Sequence, residues 1–279
     1  MVTNIHHVGI AVKSLSQAYR FWRDTLGLPL TREANVAEQG VRAALLAAGE
    51  TEIELLEPLA PDTPIGRFLA KRGEGLHHVC FKTPDVAGDL SALHGKSVAL
   101  LDTAPRRGIA GRIGFLHPSA CHGVLVELAT PEENGAHAES PVRFKRLVIG
   151  SPAPHDTAKT YQDLFGLPEV EVNGGPRTML GWAGGGTLLM VPATEVGGME
   201  GMVALSMVAP DLPPLIQRSA ANDVFVAALK QGDPDYYPMM AGQSVGLVRD
   251  VPGAGEVVTT VIREAQAVLR ELPGRIRQT

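Results

Sequence analysis

The stretches "IHHVGIAV", residues 5–12, and "LHHVCFKT", residues 76–83, are two versions of one piece of sequence. In each, a pair of histidines runs into an alternation of apolar and small residues, the period of a half-buried strand. On that period Ile5, His7, Gly9 and Ala11 share one face, and Val8, Ile10 and Val12 share the other, with His6 at its edge. In the second version His78 and Cys80 share a face while Val79 and Phe81 turn the opposite way.

The segments after these two strands repeat as well. After the first comes "KSLSQAYRFWRDTLGL", whose apolar residues recur at helical spacing and which Gly27 stops. Strands "GVRAALLAAG" and "TEIELLEPL" come next, with room for one more near residues 28–33. After the second come the helix "PDVAGDLSALHG" and the strands "GRIGFLHP" and "HGVLVELAT". Residues 4–58 and 76–130 therefore read as two copies of one βαβββ module, joined by a turn and a short helix. A third copy begins near Phe144, in "RFKRLVIGSPAPHDTAKTYQDLFGLPEV", and "GMVALSMVAPDLPPLIQR" opens a fourth. The expected class is α+β. A first domain spans residues 1–132. A second, degenerate domain of the same type spans 143–279 and ends in a helical tail with one apolar face over 257–272. The boundary falls in the polar, proline-flanked "TPEENGAHAESP".

The repeat also locates chemistry. In "TEIELLEP", Glu54 and Leu56 alternate against Ile53, Leu55 and Glu57; in "GVLVELAT", Glu127 stands among apolar residues. A carboxylate in mid-strand needs a partner. Each module thus carries one His and one Glu in matching strands, at nearly the same spacing. Two modules paired about a pseudo-twofold axis would bring His7, Glu54, His78 and Glu127 together as a mixed nitrogen–oxygen site for a divalent cation. Co, Mn, Zn and Ni all tolerate such a donor set. Cys80 is expected in the wall of that site as a substrate contact, and Arg112, with Arg106 and Arg107, on the nearby strands.

These residues resemble the vicinal oxygen chelate superfamily of glyoxalases and extradiol dioxygenases, and within it the methylmalonyl-CoA epimerases. The resemblance runs through "IHHVGIAVKSLSQAYRFWRDTLGL", "EQGVRAALLAAGETEIELLEPLAPDTPIGRFLAKRGEGLHHVCF" and "GRIGFLHPSACHGVLVELATP". It implies that His7, Glu54, His78 and Glu127 are the metal ligands. It also implies that the chain is an isomerase acting on a 2-substituted malonyl thioester of coenzyme A through an enolate. Glu127 is the candidate proton carrier. Ala43 stands where some members of the family have Glu. The alternatives on the same scaffold are a glyoxalase-type isomerase or lyase, a ring-cleaving dioxygenase, and a non-catalytic small-molecule binding protein. In the third module Arg146 stands for His7, and Leu188 or Leu189 for Glu54, so the metal pair is absent there. Residues 224–269 resemble the end of nitronate monooxygenases.

The 279 residues carry a net charge of −5 and 44% apolar residues. That balance speaks against nucleic acid or an anionic membrane as partner. No apolar run reaches membrane-spanning length and no signal peptide is visible. Two cysteines make no disulfide framework. A cytoplasmic homodimer with an acyl-CoA substrate is the expectation.

Overall fold

The computed structural model describes residues 2–132, 138–170, 179–182 and 185–209. Over these the chain is a mixed α+β protein with two sheets. The first half runs β1 (Asn4–Ala11), α1 (Leu15–Tyr19) continued by a π-helical turn (Arg20–Thr25), β2 (Leu30–Val36), β3 (Val41–Ala48), β4 (Thr51–Pro58) and α2 (Pro64–Arg72). It then repeats as β5 (Gly75–Lys82), α3 (Val86–Gly95), β6 (Arg106–Gly108), β7 (Gly111–Leu116) and β8 (Val126–Thr130). Local signals set the boundaries. Thr63 caps α2 by accepting from the Gly66 amide at 3.1 Å, with Pro64 in the first turn, and Asp85 caps α3 by accepting from Gly88. The short strand β6 has no counterpart in the sequence-based expectation.

Strand order in the eight-stranded sheet is β2-β3-β4-β1-β5-β8-β7-β6. It reads the same from either edge if β1 exchanges with β5, β4 with β8, β3 with β7 and β2 with β6. β1–β4 and β5–β8 pair in parallel, and the central β1–β5 pair is antiparallel. The two edges curl toward each other. Arg32 on β2 donates to the carbonyl of Ile109 at 2.9 Å, and Gln39 donates to the carbonyl of Arg107 at 3.4 Å.

The central pair corrects one expectation. Ile5 does not share a face with His7. It is fully buried in the main core with Val8, Val79 and Phe81, on the helix side. The register shifts by one residue between Ile5 and His7, and again between Gly9 and Ile10. His6 in β1 and His77 in β5 are the extra residues of these two β-bulges. Each bulge resets the alternation, so the residues before it face the other way.

The second half contributes β9 (Arg143–Ser151), α4 (Pro154–Phe165), β10 (Met179–Trp182), β11 (Gly186–Pro192) and β12 (Gly201–Val208). Their order, β10-β11-β9-β12, matches β3-β4-β1-β5. The β9–β12 pair keeps both bulges, at Lys145 and Val203. The helix expected over 257–272 and the stretch 224–269 lie outside the described residues.

The halves share one core. Phe144, Tyr161 and Phe165 pack with Phe81 on the helix side of the first sheet; the Phe81 and Phe165 rings lie 5.1 Å apart. The Tyr161 hydroxyl donates to the Cys121 carbonyl at 3.3 Å.

Candidate metal centre

The face opposite the core carries the four residues singled out in the sequence. All are buried: His7 at 0% exposure, His78 at 2%, Glu127 at 3% and Glu54 at 5%. Each comes from one of the four central strands, β1, β4, β5 and β8. Gly9 on β1 lies opposite both Glu54 on β4 and His78 on β5. Its missing side chain matters, because a Cβ there would strike the imidazole of His78. We expect Gly9→Ala to push that ring out of place and to weaken cation binding at least tenfold without unfolding the sheet, as read by metal titration with circular dichroism.

Four donor atoms converge. His7 Nε2 lies 3.0 Å from His78 Nε2, 3.5 Å from Glu54 Oε2 and 3.7 Å from Glu127 Oε2. His78 Nε2 lies 3.2 Å from Glu54 Oε2 and 3.0 Å from Glu127 Oε2. Donors held ~2.1 Å from one ion sit ~3.0 Å apart at right angles and ~3.4 Å apart in a tetrahedron. The observed separations fall around those values. Glu54 Oε2 is buried and has no partner in hydrogen-bond geometry, although His78 Nε2 is near. A buried carboxylate oxygen left in that state is costly. Two imidazole nitrogens facing each other at 3.0 Å, beside a carboxylate oxygen with no hydrogen-bond partner, suit a shared cation.

The electrostatics agree. Burial alone would drive the carboxylates neutral. The two imidazoles outweigh it, holding Glu54 far below the ordinary carboxylate range and Glu127 at about 2. Burial likewise opposes protonation of His7 and His78. For His7 it is outweighed by Cys80 and Glu54 beside it, and for His78 by Glu127 and Glu54, so both are raised. Since burial lifts the Cys80 thiol to about 12, that group stays neutral and the carboxylates carry the effect.

Strand alternation places His6 and His77 on the far face or at a loop edge. Instead they form an outer layer of the site. His6 Nδ1 lies 2.9 Å from His7 Nδ1, and His77 Nδ1 lies 3.1 Å from His78 Nδ1. Burial first, then the neighbouring imidazole, drops each outer histidine to about 3, so each stays neutral. A neutral outer ring can accept at Nδ1 from the inner ring's Nδ1–H, an orientation that turns the inner Nε2 toward the centre, where it would ligate a cation once deprotonated. The doubled histidine is visible in the sequence; the bulge that puts both rings on one side is not.

Of the other candidates, Cys80 is fully buried on the same side as His78, next to Ile113, Phe115 and Ala129. Arg112 stands apart. It is exposed, and it shares the helix-facing side of β7 with Gly114, which abuts Leu90 of α3. Arg106 is nearer, stacked 5.3 Å over Phe115, whose ring meets that of His78. The wall beside Glu54 is apolar: Ala11, Ala43, Leu45, Leu56 and Ile109.

Residues 6–115 match the family model of the glyoxalase/bleomycin resistance protein/dioxygenase superfamily. An uncharacterised protein of Bacillus subtilis, YqjC, is 41% identical over 132 residues, 47% of this chain and 94% of that one. The chain belongs to the glyoxalase/bleomycin resistance protein/dioxygenase superfamily. Among its relatives in that superfamily, the mitochondrial methylmalonyl-CoA epimerase of Mus musculus is 38% identical over 126 residues, 44% of this chain and 71% of that one. A solved variant of the Streptomyces coelicolor methylmalonyl-CoA epimerase, in complex with 2-nitronate-propionyl-CoA, is 42% identical. It covers 48% of this chain and 100% of that chain, with a TM-score of 0.47. These matches cover the N-terminal half.

Proposed function

We propose that the chain is a metal-dependent epimerase of a 2-substituted malonyl-CoA, with His7, Glu54, His78 and Glu127 holding the cation. The observation that carries this is the convergence of buried donor atoms from His7, His78 and an unsatisfied Glu54, with Glu127 Oε2 beside both imidazoles. The identity to methylmalonyl-CoA epimerases over the same residues supports the substrate class. A four-donor set that includes Glu54 leaves fewer open positions than the two-His-one-carboxylate set of ring-cleaving enzymes, and so favours an isomerase.

A divalent cation held there supplies a Lewis acid for the thioester oxygen, on which charge develops as C2 loses its proton. Inversion at C2 needs one group to take the proton from one face and another to return it on the opposite face. The pseudo-twofold axis sets Glu54 and Glu127 on opposite sides of the centre, and each has a second carboxylate oxygen. Glu127 takes one of these roles and Glu54 the other, since the wall described beside Glu54 is built of Ala11, Ala43, Leu45, Leu56 and Ile109. Cys80 lines the floor as a neutral thiol. The buried walls exclude the water that would otherwise quench the carbanion.

The reading extends to a division of the chain into a metal-binding unit over 1–132 and a degenerate one over 143–279, supported by the matching strand order of the two sheets. Two free, buried cysteines suit a reducing cytoplasm. No helix among the described residues is long and apolar enough to cross a membrane.

The test is solvent exchange. Protein loaded with Co²⁺ and given methylmalonyl-CoA in D₂O should place deuterium at C2, and protein stripped with a chelator should not. Exchange that is absent with methylmalonyl-CoA and ethylmalonyl-CoA alike, under full metal occupancy, would overturn the reading.

A further inference from the structure

The second sheet repeats the first closely enough that its residues can be paired with those of the metal centre, and one pairing is chemically unexpected. His7 lies between Glu52 on β4 and Cys80 on β5; Arg146 lies between Thr187 on β11 and Ser206 on β12. Gly9 lies between Glu54 and His78; its counterpart Val148 lies between Leu189 and Ala204. So Leu189 replaces Glu54, Ala204 replaces His78, and a guanidinium replaces an imidazole. Every negative or metal-ligating group of the described half-site has gone, and one fixed positive charge has arrived.

The side chain is half-buried, and one of its donors is unmet. Arg146 Nε is buried and has no hydrogen-bond partner among the described residues. The strand alternation sets Arg146 and Val148 opposite the core residues Leu147 and Ile149. On that side Val148 packs against the buried Met179, Leu189 and Val191. Thr187 and Ser206 flank Arg146 in register, yet no hydrogen bond from either reaches Nε among the described residues, and a guanidine N–H kept dry without an acceptor is an expensive arrangement unless something completes it. The partner must be an anion that accepts two parallel N–H bonds and carries apolar substance for the aliphatic wall. A carboxylate matches the planar fork of Arg. A phosphate dianion would need more donors than one guanidinium supplies among the described residues.

We infer that the second sheet holds a metal-independent binding site for a short aliphatic carboxylate, with Arg146 as its anchor and Val148, Met179 and Leu189 as the wall for its alkyl part. In the first half a cation at the pseudo-twofold centre would attract substrate oxygens; here the guanidinium brings a single positive charge on a side chain. The inference stands apart from the epimerase reading, since nothing in it needs the metal ligands.

Propionate is the probe, titrated into the full chain after chelator treatment and followed by the ¹⁵N resonance of Arg146 Nε. Saturable binding that shifts this resonance in metal-free protein is expected. Arg146→Met should weaken it about ten- to a hundredfold, the effect of one charge-assisted pair. Arg146→Lys should fall between, because an ammonium keeps the charge and loses the fork. No shift of the Nε resonance in wild-type protein would overturn the site. So would loss of propionate binding on removal of metal, undiminished binding in Arg146→Met, or tighter binding of inorganic phosphate than of propionate.

Discussion

Glu127→Gln should reduce epimerisation of methylmalonyl-CoA by at least ~10³-fold while leaving the fold intact. The amide has the size and shape of the carboxylate, so the strand β8 and its pairing with β5 are preserved. The loss is chemical. A glutamine cannot carry the C2 proton, and general acid–base contributions of this kind are worth about 10²–10⁴. It is also a poorer donor for a divalent cation than a carboxylate. The structure adds a third effect. Glu127 Oε2 lies 3.0 Å from His78 Nε2 and heads the groups that raise this imidazole against the cost of burial. Neutralising it removes one of the two charges that compensate the buried imidazoles, so the metal-free variant should keep His78 unprotonated to lower pH. The measurement is turnover together with metal content. Activity within tenfold of wild type at equal metal occupancy would move proton carriage away from Glu127, whatever the cation does.

The four central side chains are legible in the sequence because strands write their faces into it. Alternation tells which face a residue takes, and a Glu between leucines is conspicuous, as in "IELLEP". The duplication then turns two isolated oddities into a set. Alternation fails where the backbone departs from it. It assigns Ile5 to the face of His7 because a single inserted residue leaves no mark on composition, yet the bulge at His6 turns Ile5 into the core. The same bulges bring His6 and His77 to the site. Gly9 reads as a small residue that leaves space, whereas that space is taken by the ring of His78. Proximity in sequence puts Arg112 near the site, but its strand turns it outward. The closure of the sheet edges through Arg32 and Gln39 depends on curvature accumulated over eight strands, which no local window contains.

The association of the two halves yields the largest stability effect. Phe165→Ala should destabilise the protein by about 3–5 kcal/mol, the cost of emptying an aromatic site in a core. Phe165 is 2% exposed at the end of α4, against Phe81 of β5 and Tyr161. The Phe81 backbone lies in the same strand as His78 and Cys80, with its side chain on the opposite face. The helix side of β5 is therefore covered by the second half, while the other side carries the donor cluster. Tyr161 is fully buried at the same junction and gives its hydroxyl to the Cys121 carbonyl. His122 and Thr160 meet at 2.9 Å beside it. If the halves fold as one unit, chemical denaturation of Phe165→Ala should remain a single transition with a lower midpoint and an unchanged slope. A first half that holds its own stability would instead give two transitions, with only the later residues shifted. In that case the cover over Phe81 would be a contact between independent units, and the metal centre would owe nothing to it.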